Sequence, residues 1–135
     1  DRIDLWEAEN ISPGAISVEI FDDDREEVIH SDSMFFREWL TQSDAYQVFL
    51  DGNHSLVRIE NQSAPEGKLL IIKDSYGHTL APFLANHYRE IYMVDLRYFR
   101  KKPVSRLMEE VGIDQILFVY SLSNLAGDQN FIWLK

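Results

Sequence analysis

Cysteine is absent from the 135 residues, so the chain has no disulfide framework and no thiolate metal site, although that absence does not decide its compartment. Basic residues are scarce: 13 Lys and Arg stand against 23 Asp and Glu, a formal net charge of −10. A surface of that sign repels phosphate backbones and anionic lipid, so nucleic acid is not an expected partner. No apolar run approaches the roughly 20 residues that a membrane-spanning helix needs, and no basic-then-apolar leader opens the chain. The first residue is Asp1 and not Met, which suggests a fragment or a processed chain. With 6 Gly and 4 Pro there is no linker-like stretch, and neither an internal repeat nor a low-complexity segment is visible. What is present is 45% hydrophobic and 13% aromatic residues, enough for one core, and a single α/β domain over residues 1–135 is expected.

From Lys68 onward the pattern is regular. LLIIKD, EIYMVD and QILFVYS are short apolar runs rich in Ile, Val, Tyr and Phe, bounded by turn residues, and read as buried strands. LAPFLANHY and VSRLMEEVG, between them, have helical spacing. The strand starts near Leu69, Ile91 and Ile116 are too far apart for hairpins and suit helical crossovers, which predicts a parallel β-α-β-α-β unit in a doubly wound sheet. The first half is less regular. ISVEIF alternates as a half-buried strand, and FDDDREE reads as a solvated charged loop. DSMFFREWLTQ suggests a short helix capped by Ser31 or Asp32, and YQVFLDGNHSLVRIE places a turn at Asp51–His54 with hairpin-like spacing. The aromatic residues Phe35, Phe36, Trp39, Tyr46 and Phe49 are expected in the core.

In open α/β sheets the ligand crevice lies at the carboxyl ends of the strands, where loops converge and helix N-termini present unpaired N–H groups. That rule selects Asp74, Ser75 and Tyr76, then Asp95 and Arg97, then Tyr120, Ser121 and Asn124. Ser75 has two readings. Its hydroxyl caps the following helix, or it is a nucleophile with nearby N–H groups as oxyanion donors. Gly77 would permit a tight turn there, and Pro82 requires the helix to begin between Ser75 and Thr79. Of the four histidines, His30 and His87 read as solvated and His78 lies too near Ser75 in sequence to serve as its base. His54 has the better setting, since Asp51 to His54 reads D-x-x-H, although a DGN turn has its own structural explanation. The acidic run from Asp22 to Glu27 lacks the spaced ligands and glycine of a Ca²⁺ loop, and no metal or cofactor is expected. Asp74 and Asp95 at neighbouring strand ends also fit a receiver-like phosphoacceptor pocket, and strand-end aspartates commonly cap turns.

The run LLIIKDSYGHTLAPFLANHYREIYMVDLRYF, with VFLDGNHSLVRIEN before it and ILFVYSLSNLAGD after it, resembles the C-terminal part of the DHHW protein family. That family is similar to SGNH-hydrolase-like alginate acetylation proteins, secreted or membrane-anchored bacterial proteins of the α/β class. The resemblance covers about Tyr46 to Phe131 and implies an SGNH/flavodoxin-like three-layer fold. It also implies that Ser75, within Lys73-Asp74-Ser75-Tyr76, is the nucleophile. The family's G-G-N-H-P block corresponds to Asp51-Gly52-Asn53-His54-Ser55, which departs from it at Asp51 and Ser55 and makes Asn53 and His54 site-wall residues. The Asp-His-His-Trp string that names the family, expected to supply acid and base, does not occur in these residues and is expected upstream. Arg97 and Tyr120 join as substrate contacts by the strand-end rule alone. The resulting expectation is a bacterial, extracytoplasmic serine esterase or O-acyltransferase acting on O-acetylated polysaccharide, incomplete without its upstream part. A glycan- or protein-binding module and the receiver-like domain are the alternatives.

Overall fold

The computed structural model describes residues 2–7, 12, 14–113 and 115–135. Its centre is a six-stranded mixed sheet built from β1 (Ile16–Phe21), β2 (Ile29–Ser31), β3 (Leu56–Asn61), β4 (Lys68–Lys73), β5 (Glu90–Val94) and β6 (Gln115–Val119). The strand order is β2-β1-β3-β5-β4-β6. β4 pairs in parallel with both β5 and β6, as the sequence pattern predicts, while β1, β2 and β3 join antiparallel and β3 is antiparallel to β5.

The central position of β4 explains its composition. Leu69 and Ile71 face one core, with β1, β3 and Ala81 and Ala85, whereas Leu70 and Ile72 face a second core with Val104 and Leu107. A parallel strand covered on both faces needs apolar residues at successive positions and loses the alternation seen in β1. The β4-to-β5 connection carries a 3₁₀ turn over Ser75–Leu80 and the one-turn helix α1 (Ala81–Leu84), with Pro82 in its first turn. The β5-to-β6 connection carries α2 (Val104–Val111), stopped by Gly112 at φ 73°. The two crossovers run in opposite directions along the sheet, so connections of one hand put their helices on opposite faces. Short α3 (Leu122–Gly127) and a 3₁₀ turn over Asn130–Leu134 close the chain.

The first half departs from the sequence pattern in three places. No hairpin surrounds Asp51–His54: the segment before it is a 3₁₀ turn over Ala45–Val48, and Phe49 makes an isolated bridge to Phe35. Leu50 and Asp51 take left-handed conformations (φ 60° and 61°), so the chain turns through a loop and not through a two-strand ladder. The expected helix after Ser31 is only a 3₁₀ turn over Arg37–Thr41 preceded by Phe36. Ser31 instead ends β2 and accepts a bond from the Ser33 N–H. Of the five aromatics assigned to the core, all are half-buried and Phe36 alone packs against a core cluster.

Candidate functional site

Asp74 organises the strand ends. Its carboxylate accepts from the Tyr76 N–H (2.9 Å), the Ser121 N–H (2.9 Å) and the Asn124 amide (2.7 Å), tying the exit of β4 to the exit of β6. Burial pushes its carboxyl up, but the donors from Ser121, Asn124 and Tyr76 together outweigh burial and hold it below the ordinary range. Asp74 therefore caps the turn that Ser75 was expected to cap. Ser121, a strand-end candidate, instead caps α3 through the Asn124 N–H.

Ser75 is thereby left free. It is half-buried, none of the described residues holds its hydroxyl, and its carbonyl accepts the Tyr46 hydroxyl at 2.7 Å. It opens into a cleft of about 580 Å³ with Asn53, His54, His78, Trp39 and Tyr46 among its walls. Trp39 and Tyr46, assigned to the core from sequence, are thus cleft walls. The Trp39 indole N–H is fixed by Asp51 at 2.6 Å. Their signal in the sequence was aromatic density, which cannot distinguish core from cleft.

His54 is buried and held at both ring nitrogens. Nδ1 meets Asp22 Oδ2 at 2.9 Å, and Nε2 lies 3.1 Å from the Asp51 carbonyl, with the Asp51 carboxylate farther off at 3.6 Å. The carboxylate that orients His54 is therefore Asp22 and not the Asp51 of D-x-x-H. Asp22 also accepts the Ser55 N–H, and Asp23 accepts the N–H groups of Arg100 and Lys101. The start of the acidic run is consequently a clamp between loops, not a solvated stretch.

Two buried side chains here, Lys73 and the cleft-wall residue His78, have no hydrogen-bond partners among the described residues. Burial, then the Lys73 charge, pushes His78 down to about 3, so its ring is neutral. It stacks on Tyr46 at 5.9 Å. Burial likewise pushes Lys73 down to about 8, against the attraction of Asp95 3.7 Å away. Asp95 in turn grips Arg97 through both oxygens at 2.9 and 2.6 Å. Arg97 and Tyr120 line a second cavity of about 490 Å³ with Asp74, Asn124 and Asp128, separate from that of Ser75. Arg97 also meets a wall of the Ser75 cleft, its guanidinium donating to Asn53 Oδ1 at 3.4 Å. Among the described residues no group of three His, Asp or Glu side chains is arranged to hold a metal ion. Asp74 and Asp95, the candidate phosphoacceptors, are occupied by protein donors.

Fold and site define a mixed α/β domain with its clefts at the carboxyl ends of parallel strands, and solved structures share it. PatB1 of Bacillus cereus, in a structure with a sulfonyl adduct, matches over 85% of this chain and 39% of its own, at 30% identity and a TM-score of 0.72. A DHHW family protein from Eubacterium siraeum matches over 88% of this chain and 39% of its own, at 29% identity and a TM-score of 0.70. This is a DHHW-like chain, as its sequence suggests. It spans about two fifths of the length of these bacterial proteins. No family model and no curated protein matches it. No helix among the described residues is long and apolar enough to cross a membrane.

Proposed function

We propose that Ser75 is the nucleophile of a serine-dependent esterase or O-acyltransferase site that acts on O-acetylated cell-surface polysaccharide outside the bacterial cytoplasm. The carrying observation is the Ser75 hydroxyl, unheld by any of the described residues at the end of a parallel strand and open to a cleft walled by Asn53 and His54. The PatB1 structure with a sulfonyl adduct supports this reading, because sulfonyl reagents sulfonylate activated nucleophiles. In the proposed reaction the Ser75 oxygen bonds to the acetyl carbon, its proton passes to a base, and the sugar oxygen leaves with a proton. Water or a second sugar hydroxyl then takes the acetyl group and restores the serine.

The base is expected from the upstream Asp-His pair that the family resemblance implies. Asp22–His54 is the alternative within this chain, and its Nε2 faces the Asp51 carbonyl in place of Ser75. A binding module is the rival reading, but its main support, Ser75 as a helix cap, is removed by Asp74. The test is fluorophosphonate labelling and deacetylation of acetylated sugars by the full-length protein beside Ser75→Ala and His54→Ala. Ser75→Ala should abolish labelling and lower turnover by roughly 10⁴-fold. His54→Ala should retain labelling if the base lies upstream. Equal labelling of wild type and Ser75→Ala returns the site to the binding module.

A further inference from the structure

The two edges of the sheet are treated differently. At one edge β2 is only three residues long and carries exposed His30 at its centre, which is how natural sheets blunt an edge. At the other edge β6 reads QILFV, without charge or proline, and among the described residues it pairs on one side alone, with β4. Leu117 and Val119 pack against the first core. By strand alternation Ile116 and Phe118 point to the opposite face, where they stay outside the second core and are 42% and 49% exposed. Leu122 and Leu125 of the following α3 are 85% and 49% exposed. A parallel strand ordinarily has both faces covered, and an uncharged apolar strand left at an edge offers a template for pairing.

We infer that β6 is an internal strand of a larger sheet, paired along its free edge by an apolar extended segment of the same polypeptide outside residues 1–135. Two observations favour that occupant over a second copy of this chain. The matched region is 39% of PatB1 and 39% of the DHHW family protein, so both relatives carry most of their length beyond it. The formal charge of −10 makes two copies repel one another at close approach, whereas a covalently joined segment avoids most of the cost of association. The inference concerns assembly of the sheet and does not rest on the chemistry of Ser75, so either can fail alone.

Hydrogen–deuterium exchange on the full-length protein tests it at the amides of Gln115–Val119. Every amide of the strand, including those directed away from β4, should exchange at least about 100-fold more slowly than an unstructured chain. In parallel, Phe118→p-benzoylphenylalanine in the full-length protein should cross-link on irradiation to a peptide outside residues 1–135 of the same molecule. Fast exchange at alternate amides of β6 would overturn the inference, and so would a cross-link that joins two copies through β6.

Discussion

Replacing Lys73 by methionine should stabilise the protein near neutral pH and remove a specific pH dependence. The ammonium is 1% exposed, has no hydrogen-bond partner among the described residues, and stands 3.7 Å from Asp95. Its fall from 10.5 to about 8 means that burial outweighs the attraction of Asp95, a net penalty on the charged form of roughly 3 kcal/mol. The penalty is complete below pH 8. Between about 8 and 10.5 the unfolded lysine keeps its proton while the folded one has lost it, so stability rises with pH across that window. Lys73→Met keeps the aliphatic length, and Asp95 retains three bonds from Arg97 at 2.6 to 3.1 Å, so no carboxylate is left bare. Urea unfolding at about pH 7, 8.5 and 10 should show the wild type gaining on the variant by roughly 2–3 kcal/mol over the range. Tyr92 and Tyr120, also shifted by burial, are common to both proteins and cancel in the difference. A wild-type-minus-variant difference that is flat with pH would refute the assignment of the shift to Lys73.

Two further outcomes follow from the same turn. Gly77→Ala would put a Cβ 2.6 Å from the Lys73 Cβ, too close for flexing of the side-chain tip to relieve, and should cost about 1–3 kcal/mol in chemical denaturation. Asp74→Ala strands the N–H groups of Tyr76 and Ser121 and the Asn124 amide, and a loss of roughly 3 kcal/mol is expected in thermal or urea unfolding, with Asp74→Asn milder.

The glycine after Ser75 illustrates how far local reading reaches. A turn at Lys73–Gly77 was legible from the end of an apolar run, but the reason for Gly77 was not a turn angle. It is the approach of the Lys73 side chain, which follows from that side chain being buried. Arg97 and Tyr120 were placed at the strand ends correctly, yet they fall in a different cavity from Ser75, because α3 and residues 127–130 enclose a separate space that strand spacing does not encode. The hairpin at Asp51 failed for a related reason: Gly and Asn mark a turn without specifying whether strands or 3₁₀ turns flank it.

The sequence by itself determined that β4, β5 and β6 are parallel and joined by crossovers, and the short list of strand-end residues. A strand buried on both faces must be apolar throughout, and its helices must repeat at their own period, so both leave a local record. Tertiary structure alone decided which carboxylate meets which partner. Asp22 lies 32 residues from His54, Asp74 lies 47 from Ser121, and Lys73 meets Asp95 across two strands. Those pairings depend on how a mixed sheet brings distant loops to one edge and on how much water the contact excludes, and neither quantity is written in neighbouring residues.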